Sequence, residues 1–340
     1  MGVWDAPPLP ARITGRAKPV FVGRAAETAA AEQSWAAVRS GAHELIFIGG
    51  EPGAGKSRLV EEIAAALHCR GAVVLIGACS PEPGPPYEPF VECLEQLLGG
   101  TAEGVLAEHM RDSSRELLRL TPLVRRHRPD LRPPPGDESD YRRELFDAFT
   151  DLLQTVGQVR PVVCVLEDLH WAGAPTLQLL SHVAHHSARS RLLLLCTHRT
   201  TAPDRSDELT YAIADLFRLD GVSRIDLPGL STDEIAQYLV AEGGLPVRRA
   251  REYATVLRDQ TGGNPFFLRE MWRDIVARGG ASLARPPATS APASIRDTLQ
   301  RRLSRLALRE RDVLETAAVL GDGGAVREPL AAGIAARAGR

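Results

Sequence analysis

The 340-residue sequence has little of what marks secreted, membrane-spanning or single-strand-binding proteins. Its five cysteines form no CxxC pair, so we expect no disulfide framework and a reducing compartment. No apolar stretch reaches the ~18 uncharged residues of a membrane span, and the N-terminus lacks the pattern of a signal peptide. Aromatic residues are only 5% of the chain, which offers no platform on which the bases of single-stranded nucleic acid could stack. These absences favour a cytoplasmic protein with no membrane partner.

Neither sign of charge is in excess, because 41 Lys and Arg stand against 43 Asp and Glu for a net charge of −2. No strong field directs the molecule to nucleic acid or anionic lipid, so direct contact with nucleic acid is not expected. Apolar residues make up 44% of the chain, which allows a sizeable core. The length allows two or three compact units.

Short apolar runs alternate with helical stretches over the first two thirds of the sequence. This alternation predicts an α/β fold in which helices cover both faces of a parallel sheet, an αβα sandwich. Residues 88–158 are expected to be mainly helical. Ser231-Thr232-Asp233-Glu234 is predicted to be an N-cap with acids in the first turn, and from there the pattern is helical to about residue 278, with a break at residues 262–265. The predicted strands are residues 45–48, 72–76, 162–166, 192–195 and 222–227.

Residues 50–57 match the GxxxxGK[ST] pattern of a phosphate-binding P-loop between a strand and a helix. Glycines let the backbone N–H groups face phosphate oxygens, and the helix that follows presents its positive end to the same anion. Lys56 is expected to reach the β- and γ-phosphates of ATP, and the Ser57 hydroxyl to bind Mg²⁺. Of the two lysines, Lys18 and Lys56, one stands where a compact ammonium is required. The predicted nucleotide-binding residues of this segment are Gly50, Glu51, Pro52, Gly53, Ala54, Gly55, Lys56, Ser57 and Arg58.

The apolar run 162–166 ends in two carboxylates, Glu167 and Asp168. Parallel strands bring such side chains to the carboxyl edge of the sheet, where open α/β sheets bind ligands. One carboxylate would hold Mg²⁺ together with Ser57, and the other would orient or deprotonate the attacking water. Which of the two is the base stays open.

A second strand, 192–195, leads into Thr197-His198-Arg199. A cation at the end of the strand next to the acidic one could sense the γ-phosphate, which makes Arg199 a candidate catalytic residue. The alternative is a solvated loop arginine.

Five motifs occur in a fixed order and together carry a family resemblance. The set resembles the AAA-type module of the signal-transduction (STAND) P-loop ATPases, as in large LuxR-type and related actinobacterial transcriptional regulators, over about residues 18–320. The motifs are Phe21-Val22-Gly23-Arg24, the P-loop, Leu166-Glu167-Asp168-Leu169-His170-Trp171-Ala172, Thr197-His198-Arg199 and Gly263-Asn264-Pro265-Phe266-Phe267.

The resemblance implies a slowly hydrolysing nucleotide switch. Val22 and Gly23 would lie near the adenine, Pro265 in a helical lid would close over it, and Arg199 would sense the γ-phosphate. ADP would lock the lid to the sheet domain, and ATP would free them to self-associate. The sequence departs from the family in having Glu167 where Asp is common, and Gly173 where Asp often follows His-Trp-Ala.

The resemblance also suggests the domain organisation. The expected parts are an irregular leader at 1–17, an AAA-type ATPase core at 18–228, a helical lid at 229–280, a linker at 281–293, and the start of a winged-helix region at 294–340. The last twenty residues do not resemble the family's continuation, so the chain is expected to be truncated, frameshifted or a stand-alone fragment of a larger regulator.

Other interpretations remain at this level. The chain could be a DNA-binding regulator or an origin-recognition-like AAA protein that contacts DNA directly, although its charge and the lack of a helix-turn-helix argue against this. It could also be a degenerate remnant. The histidines 182, 185 and 186 share one helix face, and the arginines of residues 296–311 are interleaved with acids; both are better explained as solvated helix faces than as a metal site or a nucleic-acid patch.

Overall fold

In the computed structural model, the described residues are 6–14, 20–82, 84–133, 141–187, 190–200 and 206–279. The chain divides into two units, residues 1–268 and residues 269–340. The first unit contains the sheet and every contact discussed below. The expected linker and winged-helix segment lie outside the described residues, and the predicted boundaries between core, lid and linker stay predictions.

Five parallel strands form the sheet of the first unit. The sheet order is β2-β3-β4-β1-β5, and each pair of neighbours is parallel. All five strands therefore end at the same edge. The prediction of an α/β P-loop NTPase fold with a parallel sheet is confirmed. The strands are β1 (His43–Gly50), β2 (Val73–Ala78), β3 (Val162–Glu167), β4 (Leu192–Arg199) and β5 (Val222–Asp226).

Ten α-helices occur among the described residues, with four short 3-10 helices at Ala107–His109, Asp112–Arg119, Pro122–Arg126 and Leu169–Trp171. The α-helices are α1 (Ala11–Thr14), α2 (Ala25–Arg39), α3 (Lys56–Cys69), α4 (Glu88–Gly100), α5 (Arg142–Val159), α6 (Ala174–His186), α7 (Asp207–Leu216), α8 (Thr232–Ala241), α9 (Val247–Thr261) and α10 (Pro265–Ala277).

Side-chain alternation along the strands explains why the sheet has helices on both faces. Leu45 and Phe47 of β1 belong to one buried cluster, which includes side chains of α4, α5, α6 and α7. Ile46 and Ile48 belong to a second cluster, which includes side chains of α2 and α3. Since successive side chains of a strand point to opposite faces, the continuous apolar runs of the sequence fill two cores at once.

Three local features differ from the sequence pattern. β4 continues to Arg199 instead of ending near residue 195, because residues 196–199 keep their ladder with β1. The segment 107–126, expected to be helical, forms short 3-10 helices. Within the segment expected to be irregular, Ala11–Thr14 form one turn of helix.

The predicted N-cap of α8 is confirmed. The Ser231 hydroxyl accepts the Glu234 N–H, while the Glu234 carboxylate accepts the Ser231 N–H at 2.7 Å, which is a reciprocal capping box. Within the described part of the chain, no helix is both long enough and apolar enough to cross a membrane.

Candidate nucleotide-binding site

The P-loop joins the end of β1 to the start of α3 in a tight turn. Gly53 and Gly55 have φ of 87° and 92°, a left-handed conformation that favours glycine. A Cβ at Gly53 would lie 2.7 Å from Asn264 Oδ1, so a side chain there would displace a neighbour. Because α3 begins at Lys56, the unpaired N–H groups of its first turn belong to the loop, as anion binding requires.

Lys56 is buried and folded back along the loop. Its Nζ donates to the carbonyl oxygens of Gly50 at 2.9 Å and Glu51 at 3.0 Å. Ser57, one residue further, is exposed at the start of the helix. The predicted contact residue Arg58 pairs with Glu62 at 2.7 Å along α3. The loop thus has an ammonium and a hydroxyl at the place where phosphate and magnesium would be held.

The two carboxylates follow one another at the end of β3. One oxygen of the buried Glu167 lies 2.7 Å from the Arg12 guanidinium. Its other oxygen, Oε1, is buried and has no hydrogen-bond partner among the described residues. Asp168 has a φ of 57°, and its N–H donates to the Thr197 hydroxyl of β4 at 2.9 Å. The side chain of Asp168 is 44% exposed, so it has access to solvent that Glu167 lacks.

The environment of Asp168 is electrostatically mixed. Burial raises the pKa of Asp168 above its usual value, and the neighbouring Glu167 raises it further. The cations Lys56, Arg199 and Arg12 act in the opposite direction on the same pKa. Lys56 of the P-loop and Arg199 at the end of β4 therefore both act on the charge of Asp168.

Arg199 ends β4, the strand between β1 and β3. Its Cα is paired with that of Gly50, the first residue of the P-loop, in the β1–β4 ladder. Its guanidinium carbon lies 5.6 Å from the centre of the Trp171 ring. The P-loop, the acidic strand end and Arg199 are thus brought to one edge of the sheet.

Arg24 connects the segment before α2 to the P-loop. It is buried, has a φ of 64°, and donates from Nη2 to the Ala54 carbonyl oxygen at 3.0 Å. Its backbone N–H donates to Glu234 Oε1 at 3.2 Å. The predicted residues Val22 and Gly23 are half-buried beside it, and a Cβ at Gly23 would lie 2.1 Å from the same Glu234 oxygen.

Residues at the start of α10 also contact the P-loop. The Asn264 amide donates to the Pro52 carbonyl oxygen at 3.1 Å, and its Oδ1 accepts the Phe266 N–H at 3.0 Å. The Phe266 N–H also lies 3.3 Å from the Gly53 carbonyl oxygen. The predicted residue Pro265 is adjacent, with its Cγ 3.8 Å from the position of a Cβ on Gly55.

A family model of the AAA ATPase domain matches residues 20–195, just over half of the chain. This chain belongs to the AAA ATPase domain family. The match spans the P-loop, both carboxylates and the first half of β4, so these elements are those of an AAA-type P-loop ATPase. Nucleotide binding is expected of this AAA domain because it belongs to that family.

The AAA domain is also similar to individual proteins. An uncharacterized protein of Rhizobium meliloti (strain 1021) is 24% identical over 323 residues, which are 90% of this chain and 30% of that protein. A STAND protein with a tetratricopeptide repeat sensor from Pyrococcus horikoshii is 16% identical, with 92% of this chain and 35% of that chain covered and a TM-score of 0.46.

The Aeropyrum pernix ORC2 protein is 15% identical, with 97% of this chain and 83% of that chain covered and a TM-score of 0.42. These scores are too low to assign a function to this AAA domain. The chain spans about a third of the length of the Rhizobium and Pyrococcus relatives.

The residues of this AAA site fit ATP and Mg²⁺. The glycine turn leaves backbone N–H groups for phosphate, and Ser57 is accessible. Glu167 Oε1 has no partner within the part of the chain that the structure describes, so this carboxylate oxygen has remaining capacity for a proton donor or an ion. Mg²⁺ keeps several waters and takes one or two carboxylates plus phosphate oxygens, which matches this sparse set of donors.

Four contact residues of the AAA site were not predicted from sequence. Arg24 and Asn264 lie inside motifs that carried the resemblance, but no role had been given to either. Glu234 was seen only as part of a helix cap. Arg12 had no sequence signal, because it lies in a segment expected to be irregular and pairs with a residue 155 positions later.

Proposed function

We propose that this AAA domain is an ATP-binding, slowly hydrolysing switch whose nucleotide state is passed to the helical lid at 229–280. The observation that carries the proposal is the pair of contacts between the P-loop and the start of α10, made by Asn264 just before the helix and by Phe266 in its first turn. The carbonyl oxygens of Pro52 and Gly53 accept hydrogen bonds from Asn264 and Phe266. A change in the loop on binding a triphosphate therefore acts directly on residues of the proposed lid.

Each predicted site residue has a role in this proposal. The Lys56 ammonium and the loop N–H groups bind the phosphates. Ser57, Glu167 and Asp168 are the residues that would hold Mg²⁺, which supplies positive charge against the phosphate oxygens when bound. One of the two carboxylates orients or deprotonates the attacking water, and Arg199 stabilises the negative charge of the γ-phosphate.

The remaining assignments rest on the family resemblance. Val22 and Gly23 contact the adenine, and Pro265 closes over it. The module serves a signal-transducing transcriptional regulator of the STAND type, with self-association in the ATP state. Support comes from the fixed order of the five motifs and from the placement of three of them at one edge of the sheet.

A thermal melt with Mg-ATP tests the binding step. A ligand present at a hundredfold excess over its Kd raises the free energy of unfolding by about 2.7 kcal/mol. The parent chain should show this rise, and Lys56→Ala should lose it because the phosphates lose their ammonium. The control is Lys18→Ala, which removes the only other lysine and should behave as the parent does. No rise in the parent, with no ADP released on denaturation, would sink the proposal.

Oligomeric state tests the switch. The sedimentation coefficient of the chain should increase with a slowly hydrolysed ATP analogue and remain low with ADP. A chain that binds both nucleotides and stays monomeric with each would be an AAA nucleotide-binding module without the proposed switch.

A further inference from the structure

Arg24 makes a contact that the proposed nucleotide chemistry does not use directly. Its side chain is almost completely buried, although it carries a full charge, and one N–H of the guanidinium donates to the carbonyl oxygen of Ala54 inside the P-loop. Buried guanidinium groups require partners, so the interaction with a loop carbonyl is a specific feature of the fold.

We propose that Arg24 is a positioning residue that turns the Ala54–Gly55 peptide so that the Gly55 N–H faces the phosphates. The inference rests on the proposed function. It assigns to Arg24 the preparation of the phosphate cradle, and no contact with the nucleotide itself.

Peptide geometry connects the observed contact to the phosphate cradle. A trans peptide is planar, and its C=O and N–H point in opposite directions. Holding the Ala54 oxygen toward Arg24 therefore directs the Gly55 N–H away from Arg24. Gly55 has a φ of 92°, and it is the residue immediately before α3. Its N–H thus joins those of the first helical turn as a donor for an anion.

Arg24 is held at both ends, which fits a positioning role. The second guanidinium nitrogen, Nη1, lies 3.2 Å from Glu27 Oε1, so the fork is fixed between a carboxylate and the loop. The backbone N–H of Arg24 donates to Glu234 Oε1, while the other oxygen of that carboxylate accepts from Ser231. The left-handed φ of 64°, uncommon for a residue other than glycine, is maintained within these contacts.

Binding of inorganic tripolyphosphate separates this role from a contact with the nucleoside. The affinities for Mg-ATP and for tripolyphosphate are measured by calorimetry for the parent, Arg24→Gln and Arg24→Lys. Arg24→Gln should weaken both ligands by the same factor, about 10- to 100-fold, the range for a hydrogen bond that involves a charged group. Arg24→Lys, which keeps the charge but not the fork, should restore part of the loss for both ligands.

Matched variants complete the test. Arg39→Gln removes an exposed arginine of α2 and should bind both ligands as the parent does. Glu234→Ala removes the acceptor of the Arg24 N–H, together with half of the α8 capping box, and leaves the P-loop sequence unchanged. It should weaken both ligands in equal proportion by a smaller factor. If Arg24→Gln does not fold, Arg24→Lys and Glu234→Ala give the comparison.

The outcomes distinguish the inference from the function on which it rests. A loss for ATP with unchanged tripolyphosphate binding would assign Arg24 to the nucleoside and overturn the inference. Parent-like affinities in Arg24→Gln would also overturn it, while leaving the proposed function intact. A parent chain that binds neither ligand would remove both.

Discussion

The two sides of the candidate site are held in different ways. On the phosphate side, carbonyl oxygens of the P-loop accept hydrogen bonds from three directions: Lys56 within the loop, Arg24 before α2, and Asn264 before α10. On the acidic side, Glu167 has one oxygen paired with Arg12 and the other without a partner among the described residues, and the Asp168 side chain is partly in solvent.

Because of this difference, we expect nucleotide binding and hydrolysis to depend on different residues. The phosphate side has its geometry fixed by neutral and charge-assisted hydrogen bonds inside one unit, so it is prepared for a ligand before the ligand arrives. The acidic side depends on a balance of charges, in which cations lower and burial raises the pKa of Asp168. Variants on the phosphate side should therefore change affinity, and variants on the acidic side should change rate.

The largest effect is expected on the acidic side. Asp168→Asn should lower the kcat of ATP hydrolysis by about 10²- to 10⁴-fold, the usual contribution of a general base, because Asp168 is the carboxylate with access to water. The Kd for Mg-ATP should change less than kcat does, because Lys56 and the loop N–H groups still bind the phosphates. Single-turnover hydrolysis and calorimetry measure the two quantities.

Glu167→Gln, measured beside Asp168→Asn, decides which carboxylate is the base, since the larger loss of kcat identifies it. Asp207→Asn, an exposed aspartate at the start of α7, is the matched control. Unchanged hydrolysis in both Asp168→Asn and Glu167→Gln would contradict a base at this edge of the sheet.

A smaller effect is expected where the P-loop meets the proposed lid. Asn264→Ala removes both the cap of α10 and the bond to Pro52, and should lower the free energy of unfolding by about 0.5–2 kcal/mol. Asn264→Asp keeps the capping oxygen but loses the amide donor, so it should retain most of the stability. Urea unfolding measures this difference.

The same pair of variants tests the coupling between loop and lid. Both should release a fluorescent ADP analogue faster than the parent, because both have lost the bond to the Pro52 carbonyl oxygen. Release at the parent rate from Asn264→Asp would show that this bond does not transmit the nucleotide state.

Arg12 should have a modest effect on magnesium. Arg12→Ala frees one oxygen of Glu167, so the Mg²⁺ concentration for half-maximal ATP binding should fall by up to about fivefold. This corresponds to the ~1 kcal/mol upper value of a partly exposed ion pair. Arg39→Ala is the matched control, and an increase in the required Mg²⁺ would mean that Arg12 supports the site rather than competing for it.

The smallest effect concerns pH. With Asp168 as a carboxylate base, the rate of hydrolysis should fall as the pH decreases through its raised pKa, above the ordinary value of 3.8. Arg12→Ala removes a cation that lowers this pKa, so the acidic limb of the pH–rate profile should move to higher pH. A shift to lower pH would contradict the assignment of the limb to Asp168.

The stability of the protein is expected to depend on pH in the opposite direction to the rate of hydrolysis. An acid with a raised pKa binds its proton more readily in the native state, so its destabilising contribution is relieved as the pH falls through that pKa. As the pH decreases, the rate of hydrolysis should therefore fall, while the contribution of Asp168 to the free energy of unfolding becomes more favourable. A series of thermal melts between pH 4 and 7 would measure this change in stability.

The sheet and the P-loop could be predicted from sequence because each is a local pattern. The apolar runs gave all five strands, and residues 50–57 carry the phosphate loop without interruption. The 3-10 segments at 107–126 could not be predicted, because their apolar residues have no period that separates short turns from a helix.

The contacts between motifs were beyond the sequence for a different reason. Asn264 and Pro52 are 212 residues apart, and Arg24 and Glu234 are 210 apart. No local period relates such pairs, so only the tertiary fold brings them together. The extension of β4 to Arg199 is similar, since its polar residues are strand residues only because β1 lies beside them.

The order of the strands also sets the distance between the P-loop and the two carboxylates. β4 lies between β1 and β3, so the P-loop and the two carboxylates begin two interstrand spacings apart, about 9.5 Å. Adjacent strands would halve this separation to about 4.8 Å. By occupying the middle position, β4 acts as a spacer, which in the proposed function would leave room for a phosphoryl group and a water between Lys56 and the two carboxylates.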